Sequence, residues 1–307
     1  MKPRFSITQL VANFFIFSLL TFVSCGKEDS TSGTNAQEEE LATATSESDA
    51  EAETTFNEFF DDAMGANNDV GIEGSGVFFF RGDSLVPVTR CFTVTVTHPP
   101  TSNFPAHIVV DFGTTGCTGP DGHVRRGKII IDYTDRILYP GAIVTTTFDG
   151  FYVDNVHVEG THKISNISIV SPPNPVTLKY KVEVINGKLT KTNGNYIEWN
   201  STRTITQIDG RLTITDPRDD VFKIEGNANG LVRRGNLLVR WESTITDPLI
   251  RRFTCHWIVK GRVRTVRANL PNPATSPWVG VLDFGAGTCD NIATITINGQ
   301  TRQITLP

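Results

Sequence analysis

The stretch Lys179-Tyr180-Lys181-Val182-Glu183-Val184 alternates polar and apolar side chains with a period of two, which is the pattern of a strand with one wet face and one buried face. The same alternation returns in Cys91-Phe92-Thr93-Val94-Thr95-Val96-Thr97, in Gly127-Lys128-Ile129-Ile130-Ile131-Asp132-Tyr133 and in Ala293-Thr294-Ile295-Thr296-Ile297. Between such runs stand Asp149-Gly150, Asn186-Gly187, Asn193-Gly194, Asp209-Gly210 and Asn298-Gly299, dipeptides suited to the positive backbone torsions of tight hairpin turns. From Val77 to Leu306 the pattern predicts about 15 to 18 short strands and no long helix. The expected class is all-β, with antiparallel sheets forming an extended sheet or a sandwich rather than a closed barrel, because the strands are uneven and the Pro-rich loops are long.

Outside those strands the chain changes character. Of 307 residues, 38% are hydrophobic and only 2 are Met, and Val, Ile and Thr are abundant, which argues against a helical bundle. The net charge of -5 excludes strong nucleic-acid binding by the whole chain but conceals two regions of opposite sign. Residues 26–64 carry twelve acids against Lys27 alone, whereas residues 65–307 carry twenty-one acids against twenty-five Lys and Arg. The segment from 25 to 55 is Ser, Thr, Ala, Gly and acid, too poor in large apolar side chains to fold by itself, so it reads as an acidic flexible tether. Phe56, Phe59, Phe60 and Met64 fall at helical spacing, which predicts a short helix or linker over 56–68 that docks on the body.

At the N-terminus Lys2 and Arg4 precede an apolar run from Leu10 to Val23, too short for a membrane span and suited to an export signal over 1–24. The run ends in Phe22-Val23-Ser24-Cys25-Gly26, which resembles a bacterial lipobox and makes Cys25 the expected lipidation site. Acyl chains on Cys25 would hold the protein on a bilayer, each buried methylene contributing about 0.8 kcal/mol. Lys27-Glu28-Asp29 looks like the surface-export signal of lipoproteins from the Bacteroidota.

The body, 69–307, carries an internal duplication. Cys91 is followed by Val109-Val110-Asp111-Phe112-Gly113 and Cys117, and Cys255 by Val281-Leu282-Asp283-Phe284-Gly285 and Cys289. Ile72-Glu73-Gly74 and Ile224-Glu225-Gly226 precede the two copies, and Val158-Glu159-Gly160 stands between them. This order defines modules at about 72–166 and 224–307 with a connecting β region at about 167–223. Four cysteines in an exported chain allow three pairings, and the repeat favours Cys91 with Cys117 and Cys255 with Cys289. The rival is metal binding, for which neither pair has a Cys-x-x-Cys spacing.

The candidate chemistry is sparse. Asp111-Phe112-Gly113 and Asp283-Phe284-Gly285 spell a kinase magnesium tripeptide without the loops and lysine that would accompany it, so a strand end with Phe in the core is expected. His157 and His162 flank Glu159 without a zinc spacing, and Asp216-Pro217-Arg218-Asp219-Asp220 lacks the alternating carboxylates of a calcium loop. No motif selects a pair of carboxylates or an acyl-transfer nucleophile, so no catalytic residue, metal or cofactor is expected. A cationic stretch from Arg233 to Arg267, interleaved with Trp241 and Trp257, offers Arg251, Arg252 and Trp257 as ligand-binding candidates for an anionic glycan. Sheet-edge charges and core tryptophans are the competing account.

Taken with the paired Asp-Phe-Gly and Cys modules, Ser201-Thr202-Arg203-Thr204 and the closing Ala293–Gly299 run, the Lys-Glu-Asp tail resembles a group of uncharacterised outer-membrane lipoproteins of the Bacteroidota. That resemblance implies a lipid anchor in the outer membrane at the cell surface, with a periplasm-facing placement as the alternative, and brings no activity. The expected function is a noncatalytic binding or structural module whose partner is a glycan or an envelope protein. The alternatives are a secreted polysaccharide-acting hydrolase and an envelope assembly component.

Overall fold

The computed structural model describes residues 30–70, 91–119, 122–170, 177–211, 217–268 and 278–306. The signal segment, Cys25, Lys27-Glu28-Asp29 and Ile72-Glu73-Gly74 lie outside the described residues.

The fold is all-β and antiparallel, as the alternation requires. The strands are β1 (Thr93–Thr97), β2 (Ala106–Asp111), β3 (Cys117–Thr118), β4 (Val124–Tyr133), β5 (Ile143–Val153), β6 (Val156–Asn166) and β7 (Lys179–Thr190), followed by β8 (Tyr196–Asp209), β9 (Val221–Arg234), β10 (Leu237–Arg252), β11 (Lys260–Arg267), β12 (Gly280–Ala286), β13 (Ile292–Ile297) and β14 (Gln300–Thr305). They form a single 14-stranded sheet in chain order, with β3 paired to β4 off the main path. β1 and β14 are its two edges. The period of two is visible in the burial of β8, where Trp199, Ser201, Arg203 and Ile205 point inward and Asn200 and Thr202 point out.

Among the described residues no second sheet covers the inner face. Its place is taken by α1 (Ser30–Val70), a 41-residue helix where a tether over 25–55 and a short helix over 56–68 were expected. The reason lies in the local sequence. Residues 34–64 contain neither Gly nor Pro and are rich in Ala and Glu, good helix formers. What the segment lacks in apolar surface, the sheet supplies. Successive helix positions touch different strands: Phe56 stacks on Trp199 of β8 at 5.7 Å, and Phe59 meets Phe148 of β5 at 4.6 Å. Phe60 meets Tyr180 of β7 and Phe222 of β9 edge-on, and Asp61 reaches Arg251 of β10. Within two helical turns α1 therefore contacts β5, β7, β8, β9 and β10, so the sheet curls around the helix.

The docking expected of Phe56, Phe59, Phe60 and Met64 is present, and all four are buried. Ala42, Ala44, Ala50, Ala52 and Ala63 are buried as well, their small side chains letting strands approach the helix closely.

The Glu-Gly repeats are bends. Gly226 has φ 137, and a Cβ there would lie 2.2 Å from the Thr202 carbonyl oxygen. Gly160 has φ 116 and coincides with a break in the β6–β7 register. Such bends increase the curl of long strands. Asn186-Gly187 and Asp149-Gly150 are also bulges, inside β7 and β5, and not the hairpins that were expected. A bulge demands the same positive φ as a primed turn, 52 at Asn186 and 54 at Gly150, so the dipeptide alone does not distinguish them. Asn193-Gly194 and Asn298-Gly299 do lie in hairpin connections, between β7 and β8 and between β13 and β14.

Both disulfides follow the repeat. Cys91 joins Cys117 across 26 residues and Cys255 joins Cys289 across 34. In each copy the Asp side chain accepts a hydrogen bond from the Gly two residues on, at 2.8 Å from Gly113 and 2.9 Å from Gly285. Phe112 and Phe284 are buried, the strand-end role expected of them.

Candidate functional site

The strands present two chemically different faces. Toward the helix, buried acids meet basic and indole groups. Asp49 Oδ1 accepts hydrogen bonds from Trp199 Nε1 at 2.9 Å, Trp241 Nε1 at 3.0 Å and Ser243 Oγ at 2.9 Å. Burial pushes its carboxyl above the ordinary value, against the Arg203 charge and the two indole hydrogen bonds that pull it down. Glu53 accepts from Arg203 at 3.0 and 2.5 Å, and Asp61 from Arg251. Burial lowers Arg251 to about 10, while the charges of Glu58, Asp62 and Glu53 oppose the shift.

A less buried stripe of the same helix meets the rim of the sheet. Glu47 pairs with Arg234 at 2.6 Å, Glu51 with Lys191 at 2.9 Å and Glu58 with His256 at 3.1 Å and Arg125 at 3.5 Å.

The outer face is open. Strand register aligns one outward residue from each of thirteen strands: Thr97, His107, Asp132, Thr145, Lys163, Glu183, Thr202, Asn227, Thr244, Arg264, Val281, Thr296 and Thr301. Every member except Val281 is polar, and Asp132 and Glu183 balance Lys163 and Arg264. Two residues along the strands, the same traverse meets Val109, Ile130 and Ile185 instead.

Two depressions lie on this row. The first, of about 460 Å³, is lined by Thr97, His98, Pro99, Pro105, His107, Asp132 and Thr145 among others. There His107 Nδ1 and Asp132 Oδ1 lie 2.7 Å apart in a hydrogen bond. The second, of about 220 Å³, is lined by Glu183, Val184, Ile185, Asn200, Ser201, Thr202, Asn227 and Asn229. The bulge at Asn186 fixes part of it, its N–H donating to Asn200 Oδ1 at 2.8 Å. The row thus offers hydroxyl, amide, carboxylate and imidazole groups, donors and acceptors side by side without net charge.

The residues singled out from the sequence are dispersed. Arg251 is 2% exposed and bound to the helix, whereas Arg252 is exposed on the opposite face. Neighbours on a strand must point to opposite faces, so the pair does not make one ligand-binding surface. Trp257 is half-buried, edge-on to His256 at 5.2 Å, and Trp241 is in the core. The cationic stretch is likewise divided: Arg233, Arg240 and Arg262 face out, while Arg234 and Arg267 bind Glu47 and Glu38. His162 is buried and pushed down to about 3, whereas His157 sits 3.5 Å from Glu159 at the surface. Asp220 is buried and accepts from Gln207 at 2.5 Å, so it is a packing group.

Among the described residues no group of His, Cys, Asp or Glu has the arrangement to hold a metal ion, and no helix is long and apolar enough to cross a membrane. The row escaped sequence reasoning because its members are 5 to 25 residues apart in the chain; once strand pairing is known, the outward Thr and Asn positions reveal it. The chain matches no family model, no curated protein and no solved structure, so the arrangement of its own side chains is what a functional argument has to rest on.

Proposed function

We propose that this is an exported lipoprotein of the bacterial envelope, held on the outer membrane through Cys25 and exposed at the cell surface, whose β body is a noncatalytic binding module for a neutral polyhydroxylated polymer. The observation that carries the binding reading is the polar row with its two depressions. Side chains that both donate and accept hydrogen bonds suit sugar hydroxyls, and Pro99 and Pro105 give the first depression apolar walls for the C–H face of a ring. The balanced charge disfavours nucleic acid, which needs a cationic stripe. Hydrolysis by the usual two-carboxylate route needs a converging pair, and each depression contains a single carboxylate, Asp132 or Glu183.

An envelope assembly role is the second reading, favoured by Tyr139, Ile167, Ile169 and Val170, which are exposed on the β4–β5 and β6–β7 loops. Apolar loop tips of this kind suit a protein partner.

The test is retention of the full chain, in detergent micelles, on immobilised neutral glucans, with Asn227→Ala/Thr202→Ala as the control. Retention lost in the control supports the glycan reading. No retention of either protein removes it, and a stoichiometric envelope protein in detergent pull-downs, lost on Ile169→Asp, replaces it with the assembly role.

A further inference from the structure

The two depressions share one row, and the row between them is continuous. From Asp132 on β4 to Thr202 on β8 there are four strand steps through Thr145, Lys163 and Glu183. At about 4.8 Å per step the path is about 19 Å along the sheet. Both depressions are shallow and open, so neither alone holds a chain tightly. Occupying both with one chain makes the second contact intramolecular, and linked binding of this kind raises apparent affinity by about 10² to 10⁴ without any new contact type.

From this geometry we infer that the depressions are coupled subsites for a single flexible chain, and that the protein selects its ligand by length as well as by chemistry. The inference rests on the glycan reading given above. The subsites are unequal. The first is the larger and offers the His107–Asp132 pair and two prolines, so it orients a single sugar unit. The second is a smaller bed of Asn200, Thr202, Asn227 and Asn229 that accepts any hydroxylated stretch arriving over Glu183. Chains too short to cover the path bind in the first depression only. Chains long enough gain the second, and further length adds nothing beyond statistical rebinding. Lys163, between the subsites, stands in register beside Glu183 at the edge of the second, which leaves the bridging stretch without a net field and keeps the preference for uncharged chains.

The experiment is titration calorimetry of the full chain in detergent micelles with length-graded series of α-1,6-linked and β-1,4-linked glucose oligomers, from the disaccharide upward. The expected result is a step: Kd falls roughly 10²-fold once the oligomer can span about 19 Å and levels off beyond it. His107→Ala/Asp132→Asn is expected to abolish binding of short oligomers and to remove the step. Asn227→Ala/Thr202→Ala is expected to bring the affinity of long chains down to that of short ones. These side chains are on the outer surface, so an unchanged melting temperature verifies that each variant is folded. A smooth gain per unit with no step, or a step that survives both variants, overturns the coupling while leaving the glycan reading intact. Failure of every oligomer and polymer to bind overturns both.

Discussion

The inner and outer faces of this sheet are built from alternate residues of the same strands, yet a polar side chain has opposite consequences on the two. On β8, Arg203 and Trp199 point inward and hold helix acids, while Asn200 and Thr202, their immediate neighbours, line an open depression. Inside, each charge is removed from water and must be matched, because an unpaired buried ion costs several kcal/mol. Outside, water solvates whatever the protein leaves unmatched. Inner polar groups therefore bear on whether the chain folds, and outer polar groups are left available for the recognition proposed above.

The sharpest way to break this comparison is to remove the helix. Deleting residues 30–64 leaves Trp199, Tyr180, Phe222, Arg203 and Arg251 facing an empty interior. The expected outcome is loss of any cooperative thermal transition by circular dichroism. A truncated body that still melts cooperatively would show that α1 is an accessory and that the inner face tolerates exposure.

Next in size is the Asp61–Arg251 pair, whose side chains are 1% and 2% exposed. Arg251→Met alone or Asp61→Leu alone is expected to destabilise by about 3 to 5 kcal/mol, because each strands a buried charge. The double variant should recover most of that loss, since neither charge remains. Denaturant melts of the three variants decide it, and a double variant as unstable as the sum of the singles would mean that the charges, not their matching, hold the helix.

Much of this molecule was legible in its sequence and some of it was not, for physical reasons. The strands announced themselves because the period of two is local, and the disulfides because the Asp-Phe-Gly modules repeat. α1 was hidden by its composition. Thr43, Ser46, Ser48 and Asp49 read as solvated tether until the sheet supplies partners such as Thr265, which hydrogen-bonds Ser46, and Ser243, which hydrogen-bonds Asp49. Arg251 and Arg252 looked like one basic patch because adjacency in sequence conceals the strand's alternation. The row on the outer face was invisible for the converse reason, since register places Lys163 beside Glu183 and Thr202 beside Asn227 although the sequence separates them.

Acid separates the faces by a smaller effect. His162, on the inner side of β6, is held neutral by burial with its pKa near 3, against an unfolded value of about 6.5. The unfolded chain therefore binds the extra proton between those values, so stability is expected to fall as pH drops from about 6.5 towards 3, by up to a few kcal/mol from this group alone. Burial raises Asp49, and its contribution has the opposite sign: the folded state holds that proton more tightly, which favours folding at lower pH and partly offsets the loss. His162→Phe, which keeps an aromatic ring beside Phe59 without a titrating group, should flatten the acid limb of the stability profile. An unchanged limb would place the acid sensitivity in the carboxylates of the helix, whose ion pairs are lost on protonation.

The smallest effect on stability is expected in the outer row. Asn227 and Thr202 are exposed, directly opposite one another across β8 and β9. Replacing both with Ala removes surface groups already satisfied by water, so the change in unfolding free energy should stay within about 0.5 kcal/mol per site. Their pairing across the strands adds a few tenths of a kcal/mol at most to that figure. If the double variant instead destabilised the fold by several kcal/mol, the row would be a girdle that holds the curled sheet together, and its polarity would owe more to strand pairing than to recognition. A silent melt combined with lost glucan retention fixes the opposite assignment, because a side chain that contributes nothing to folding and is still required for retention acts through the ligand.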